Sequence, residues 1–429
     1  MFMQTKQLVA VAVVVIVCIA AVGYMVLGNL GGDDSVPENN TGRLMIYGNA
    51  DNNDYLDERD ISTLRQIIDR EIEATPLSDA NQDGVVDEED TTFTQRLIDR
   101  EPGTVFYQSY YDEELQVQSC DYPVGTICTC GTNVSMMMKA LGVVDRIELI
   151  DGGNRDTVLF SDFLDKKKAS NSVLKADIEI VSDSNVEAIV TEDSSSYIKN
   201  FDAFETAGVD VIRLSSSNAE RSVGSILTIG YLMQAEERSH EYVKFCDDIL
   251  ADVAEKLQGV DESSKVSALS VTMSNSISGL TSDYYASLLM AGATCPADWT
   301  ESTKKFEIGD EWLLDPKYQT DYIIHFRTTL GYEPLTDADK QEMWDTYSQY
   351  YHSMDAYKDG NYVILSSSMP VHLRVAYLVS IFYPDIFGDD YGDKLHQEYI
   401  DRFIDNLAEQ DYRVVENPYY LISSGDVTF

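Results

Sequence analysis

The chain has 429 residues, of which 44% are hydrophobic, so its length suggests two or three domains with real cores. Its 74 Asp and Glu against 31 Lys and Arg leave a net charge of −43. That balance excludes a nucleic-acid binder and a protein lying on anionic lipid, because both need a basic face.

Residues 8–27 form an almost unbroken apolar run, LVAVAVVVIVCIAAVGYMVL. At about 1.5 Å per residue, such a helix spans roughly 30 Å, the thickness of a bilayer's hydrocarbon core. Lys6 precedes the run while Asp33 and Asp34 follow it, so the remainder is expected outside the cell. Segment 1–28 is therefore read as an uncleaved anchor rather than a signal peptide, and 29–43 as a polar tether. Outside a cell, one disulfide is expected among Cys120, Cys128, Cys130, Cys246 and Cys295, and the odd number leaves a thiol over.

A thirty-residue repeat comes next. GNADNNDYLDERDISTLRQIIDRE, starting at Gly48, returns as SDANQDGVVDEEDTTFTQRLIDRE, starting at Ser78. In the second copy Asp79, Asn81, Asp83, Asp87 and Asp90 hold the side-chain positions of an EF-hand-type loop, with Gly84 at the sharp turn and the Val85 carbonyl between. In the first copy Asn49, Asp51, Asn53, Asp57 and Asp60 hold them, with the Tyr55 carbonyl. Calcium is a hard cation that collects such oxygens, so two calcium sites are expected. The second should be stronger, because the first has Asn49 in place of a carboxylate and Asp54 in place of glycine. Ile61, Leu64, Ile68 and Ile72 make an apolar helical stripe after the first loop; Phe93, Leu97 and Ile98 do so after the second.

Each loop has an exit helix but no entry helix, and each ends in Asp rather than Glu. In this, residues 44–102 resemble a dockerin domain. The resemblance implies a small all-α calcium domain and a cohesin-like partner, met through Glu58-Arg59 and Glu88-Glu89. The alternative is a calcium-stabilised spacer packed on its own neighbour.

Beyond Pro102 the pattern alternates strands and helices, as in parallel α/β sheets. Strands are expected over 126–130, 146–150, 185–191 and 209–214, then over 266–271, 322–326 and 362–365. A helix over 134–141 follows the first of them, and its Met136-Met137-Met138 reads as core. Residues 221–257 read as one long helix between the two sets. Polar, Ser-rich loops close several strands, and such carboxyl ends face the ligand crevice in open parallel sheets. Catalytic signatures of the G-x-S-x-G, Walker and G-x-G-x-x-G types do not occur, so no enzyme is expected.

The segments VGTICTCGTNVSMMMKALGVVDRIELID, NVEAIVTEDSSSYIKNFDAFETAGVDVIRLSSSN and YLVSIFYPDIF, with the long helix, resemble ABC-transporter substrate-binding proteins of the helix-linked class. That class takes ferric siderophores, haem or cobalamin. The resemblance implies two Rossmann-like α/β lobes, 103–220 and 259–429, joined by one helix, 221–258. It further implies a metal-chelate ligand in the cleft, an ABC permease as partner and a place on the cell surface. Loops at strand ends of both lobes then offer Cys130, Thr132, Asn133, Tyr284, Tyr285, Arg327, Met369 and His372 as ligand-binding candidates. The second functional expectation is a dockerin-bearing surface scaffold or adhesion protein without a transport role.

Overall fold

Apolar runs of four to six residues, each closed by a polar loop, form the central strands of two sheets in the computed structural model. It describes residues 43–428, apart from 112–113, 195–197, 274, 296–304 and 308. The expected anchor and most of the tether lie outside these residues. Among the described ones, no helix is long and apolar enough to cross a membrane.

In the repeat unit, α1 (Glu58–Ile68) and α2 (Glu88–Ile98) pack against each other. Each starts at a loop aspartate, Asp57 or Asp87, whose side chain accepts a backbone N–H, while Asp60 or Asp90 reaches back to close a capping box. The buried face of α1 is Ile61, Leu64 and Ile67. Ile72 is exposed, because the helix stops at Ile68 and Arg70 turns left-handed, so the helical period ends before Ile72.

A hairpin absent from the sequence reading follows, β1 (Gly103–Tyr111) paired antiparallel with β2 (Glu114–Tyr122). The residues before the first loop attach to its edge: Tyr47 N–H donates to the Phe106 carbonyl at 2.9 Å, and Gln108 N–H to the Met45 carbonyl at 2.8 Å.

The first lobe holds five parallel strands: β3 (Ile127–Cys130), β4 (Ile147–Ile150), β5 (Lys167–Lys168), β6 (Ala188–Glu192) and β7 (Asp210–Leu214), ordered β5-β4-β3-β6-β7. Every residue of β3 and β6 is buried, as central strands covered on both faces require. Helix α3 (Thr132–Ala140) leaves β3 directly.

The long helix expected over 221–257 is two helices, α4 (Ala219–Leu232) and α5 (Glu236–Leu257), packed against each other. Gln234 takes a left-handed conformation between them, and Ala235 N–H returns to the Gly230 carbonyl at 2.7 Å. Gly230 lets them approach: a Cβ there would lie 2.4 Å from the Ser239 side chain. The 22 residues of α5, roughly 33 Å long, make the covalent link between the lobes.

The second lobe contains β8 (Ala268–Met273), β9 (Ser276–Ser278), α6 (Asp283–Met290), β10 (Lys305–Glu307), β11 (Tyr322–Arg327), β12 (Tyr362–Ser366), α7 (Val371–Phe382), α8 (Tyr391–Phe403) and β13 (Leu421–Ile422). Its sheet runs β10-β9-β8-β11-β12-β13, with a parallel centre of β8, β11 and β12. β9 and β13 run antiparallel to that centre and β10 pairs antiparallel with β9, so the sheet is mixed where a parallel one was expected. Tyr242 and Phe245 of α5 pack on Phe403 of α8, with ring centroids 5.0 and 5.5 Å apart, fastening the connecting helix to this lobe.

Replacing Gly230 by valine should force α4 and α5 apart and lower stability by about 1–3 kcal/mol. A thermal melt of Gly230→Val within one degree of the parent would contradict the close crossing.

Candidate functional site

The segments that follow β3, β7 and β12 meet at a small cavity of about 20 Å³ between the lobes. Asn133, Met136, Met137 and Ser216 line it from the first lobe, and Pro370, Val371 and His372 from the second. Ser222 and Ile226 of α4 and Tyr242 of α5 complete the wall.

Beside this cavity a polar network crosses the seam. Glu192, at the end of β6, is 4% exposed and accepts from Ser217 Oγ at 3.0 Å, Ser216 N–H at 3.2 Å and the Ser216 hydroxyl. Burial pushes its carboxyl up to about 7, with Asp193 adding to the rise and the serine hydrogen bonds opposing it. Asn133 Nδ2 donates to Ser217 Oγ at 2.9 Å. From the other lobe, Arg374 donates to the Ser217 carbonyl at 3.2 Å and to Asp283 Oδ2 at 2.9 Å, and it lies over the Tyr284 ring. Arg374 is 1% exposed, so these partners are what make its charge tolerable.

The lobes also touch on their flank. Tyr332 N–H donates to Asp156 at 2.6 Å, Thr157 donates to Glu333, and Asn406 donates to Ser161 Oγ at 2.9 Å. The seam is therefore closed around the cavity.

Of the candidates read from sequence, Asn133 and His372 face each other across this cavity. His372 is buried with Nε2 unpartnered, and burial with the nearby Arg374 and Arg43 pushes its pKa down to about 3. Tyr284 sits close by under Arg374, stacked on Phe326. Thr132 donates to the Gly153 carbonyl at 3.2 Å. The others point elsewhere. Cys130 faces the sheet core, its sulfur 3.9 Å from that of Cys128, because residues two apart on a strand share a face. Arg327 donates to the Thr272 carbonyl and the Tyr347 hydroxyl. Tyr285 and Met369 are buried in the main core. His325, inside β11, hydrogen-bonds the Tyr362 hydroxyl at 2.6 Å. All five described cysteines are buried free thiols, so the expected disulfide is not formed. Glu192, Ser216, Ser217 and Arg374 were missed as individual residues, although the loops carrying Glu192 and the serines were noted as crevice-facing.

The repeat loops form a second set of functional candidates. Asn52 and Gln82 take left-handed conformations at matching positions, and Gly84 has φ of +93°. One carboxylate oxygen in each loop, Asp51 Oδ1 and Asp79 Oδ1, is buried without a partner. Asp60 and Asp90 are fully buried and accept loop N–H groups. Burial and the neighbouring Asp51 push Asp60 up to about 8, an unfavourable place for a carboxylate lacking a cation. The loops differ in one respect. Arg59 lies 2.9 Å from Asp57 and 4.0 Å from Asp51, bringing its own positive charge to loop one, where loop two has Glu89. Asn49 is also engaged, donating to the Leu44 and Asn53 carbonyls. Asp83 and Asp87 accept from Val85 N–H and Glu89 N–H. Among the described residues, no three or more His, Cys, Asp or Glu side chains form a ready-made metal cluster. The loop donor sets, which include Asn side chains and the Tyr55 and Val85 carbonyls, suit a hard cation.

This unit is fastened to the connecting helices. Arg43 pairs with both Asp54 and, at 2.8 Å, Asp247; Tyr55 stacks on His240 at 4.3 Å; Arg100 pairs with Glu236 at 2.8 Å. Leu44, Ile46, Leu56 and Leu97 belong to the same hydrophobic core as both lobes.

No family model and no curated protein matches the sequence. The fold is that of solved periplasmic binding proteins. A TroA-like periplasmic binding protein FepB from Veillonella parvula matches with TM-score 0.54 at 17% identity, over 67% of this chain and 94% of that one. Helicobacter pylori CeuE, solved as a nickel–histidine complex, matches with TM-score 0.53 at 16% identity, over 71% and 99%. Haemophilus influenzae MolA, solved bound to molybdate, matches with TM-score 0.54 at 14% identity, over 68% and 95%. At these identities the likeness is one of fold.

The Glu192 carboxyl binds its proton more tightly folded than unfolded, so between its unfolded pKa, near 4.5, and about 7 the folded chain holds up to one extra proton. Glu192 therefore makes stability fall as pH rises through that window. Glu192→Gln should remove that component, so stability relative to the parent rises from pH 5 to pH 7. Parallel pH profiles of the two melts would count against a buried, proton-holding carboxyl.

Proposed function

We propose that this chain is the extracytoplasmic substrate-binding component of an ABC importer, and that the cavity between its lobes receives a metal-containing ligand. The observation that carries the reading is that both lobes line the cavity while Arg374 of one donates to Ser217 of the other across the seam. Such a clamp presents a different outer surface open than closed, which is what a permease partner needs to sense. Nickel–histidine and molybdate in the similarly folded proteins support a metal-bearing ligand here. Within that class we favour a chelate, such as a ferric siderophore-like complex, haem or a corrinoid. Anchorage through residues 8–27 would keep the chain at the cell surface.

For the repeat unit we propose calcium, held more tightly in the second loop through Asp79, Asn81, Asp83, Val85, Asp87 and Asp90. The unpartnered buried Asp79 Oδ1 supports this, while Arg59 weakens the first loop. The scaffold reading, with a cohesin-like partner, is less well supported, since Arg43, Tyr55 and Arg100 turn one side of the unit onto the connecting helices. Glu58, Arg59, Glu88 and Glu89 stay exposed for such a partner.

Titration of the full chain with nickel–histidine, molybdate, a ferric catecholate and haem should find one that binds at one equivalent, with Ser216→Trp abolishing it by filling the cavity. No binding by any of the four would refute the metal-ligand reading. For calcium, chelation should lower the melting temperature, and Asp79→Ala should remove most of that dependence. Because the unit shares its core with the lobes, we expect the loss to reach the whole molecule rather than residues 44–102 alone. An identical melt with calcium and with chelator would rule the sites out.

A further inference from the structure

The repeat unit lies across the break between α4 and α5 and grips the helix on each side of it. On α4, a Cβ at Gly224 would lie 2.8 Å from the Arg43 carbonyl. Thr228 Oγ1 accepts from Met45 N–H at 3.2 Å, and the Tyr231 hydroxyl donates to the Leu97 carbonyl at 2.9 Å. On α5, Glu236 pairs with Arg100, His240 stacks on Tyr55 and Asp247 pairs with Arg43. At about 100° per residue, positions 224, 228 and 231 share one stripe of α4, and 236, 240 and 247 share one stripe of α5. Arg100 spans the break itself, its guanidinium 4.3 Å from the centre of the Tyr231 ring on one side and bonded to Glu236 on the other. Between them Gln234 Nε2 donates to the Tyr122 hydroxyl at 3.4 Å. The hairpin carrying Tyr122 is tied to the first lobe, where Asp121 N–H donates to Asp210 of β7 at 2.9 Å. Helix α5 is tied to the second lobe through Tyr242 and Phe245.

We infer that the repeat unit is a splint across the inter-lobe hinge, and that a hard cation in its loops sets how far the lobes part. The inference rests on the calcium reading of the loops and is independent of which ligand the cleft takes. Helix α2 runs about 16 Å from the second loop, where Asp87 and Asp90 close its capping box, to Leu97 at the break, with Arg100 just beyond. The first loop carries Tyr55, whose ring holds His240. Without a cation the clustered carboxylates of each loop repel one another, and Asp51 Oδ1 and Asp79 Oδ1 stay buried without a partner. A loop that relaxes to relieve this gives up the fixed footing from which Arg100 and Tyr55 reach α5. Cation-loaded loops therefore hold the lobes at the closed angle, and cation loss lets them swing apart. Arg70, the counterpart of Arg100 in the first copy, is exposed, so the grip on the break belongs to the second copy.

Two backbone amides report the seam directly. Tyr332 N–H donates to Asp156 at 2.6 Å and Thr157 N–H to Glu333 at 2.8 Å, each from one lobe to the other. Hydrogen exchange of the full chain, read by mass spectrometry on peptides holding these amides, is compared with calcium and with chelator well below the melting temperature. Calorimetric titration with calcium chloride runs alongside. Calcium should bind, and chelation should speed exchange at Thr157 and Tyr332 at least tenfold while β6 and β12 stay slow. Glu236→Gln/His240→Ala, which cuts two grips on α5 without altering a loop, should exchange fast at both sites with calcium bound and gain nothing more on chelation. Arg100→Gln should act in the same direction, and it keeps the test open if the double variant fails to fold. Equal exchange with and without calcium, in a parent that binds it, would overturn the splint while the calcium reading stands. So would parent-like rates in the folded variants, or β6 and β12 accelerating together with the seam, which is unfolding rather than hinge opening. If the parent binds no calcium, the calcium reading falls and the cation control falls with it.

Discussion

A guanidinium buried to 1% exposure at the seam constrains everything around it. Arg374 needs oxygens at its two terminal nitrogens to stay charged there, since an unpaired buried charge is far more costly than a broken surface contact. One oxygen comes from Asp283 of its own lobe and the other from the Ser217 backbone across the seam. Ser217 is in turn fixed by Asn133 and by Glu192. Closure of the lobes and the shape of the cavity are thus one arrangement. Opening the seam strips Arg374 of a partner and must readmit water to it.

Much of this was legible because parallel sheets bury their strands on both faces. Runs such as AIVTE and YVILS stand out from the acidic background, and the loops that close them mark the crevice. The edges were not legible. β5, β9, β10 and β13 have two or three residues each, too few for a period to register. The break between α4 and α5 hides in a stretch that is helical on both sides, where only Gly230 hinted at close packing. Among single side chains, sequence favoured Arg327 over Arg374, and the geometry reverses them. Arg327 is taken up by Thr272 and Tyr347 at the side of the sheet. Arg374 had its own signal, a lone cation inside the apolar helix VHLRVAYLVSIF. An arginine at such a position must have buried partners, which makes it a structural pivot before any function is assigned.

The repeat unit shows a different limit. Its loop spacing, capping aspartates and paired helices follow directly from the thirty-residue register, since each Asp57 or Asp87 is at once a loop position and the N-cap of the helix that follows. Where the unit sits does not follow from that register. Most of the contacts that place it come from residues outside the repeated pattern or differing between copies, Arg43, Met45 and Tyr55 toward Asp247, Thr228 and His240, while Arg100, which both copies share, reaches Glu236. Tyr55, at the carbonyl position expected of the first loop, stacks its ring on His240 of α5, so that loop is packed directly on the element joining the lobes.

The size of the cavity then limits what closure can mean. Ligand pockets run from about 300 to 1,000 Å³, whereas only about 20 Å³ is open between these lobes, room for little more than one water. Any ligand of pocket-filling size therefore requires the lobes to separate. The hinge for such separation cannot lie within α5, a 22-residue helix held to the second lobe by Tyr242 and Phe245 on α8. The chain on its first-lobe side is the natural place, where residues 233–235 already leave helical geometry and Gln234 holds a left-handed backbone. Rotation there would carry Asn133, Met136 and Ser216 away from His372 as one rigid group, because a sheet with its packed helices moves as a block. The flank contacts of Asp156, Thr157 and Ser161 would part together with Arg374 and Ser217, so the seam has two latches rather than one.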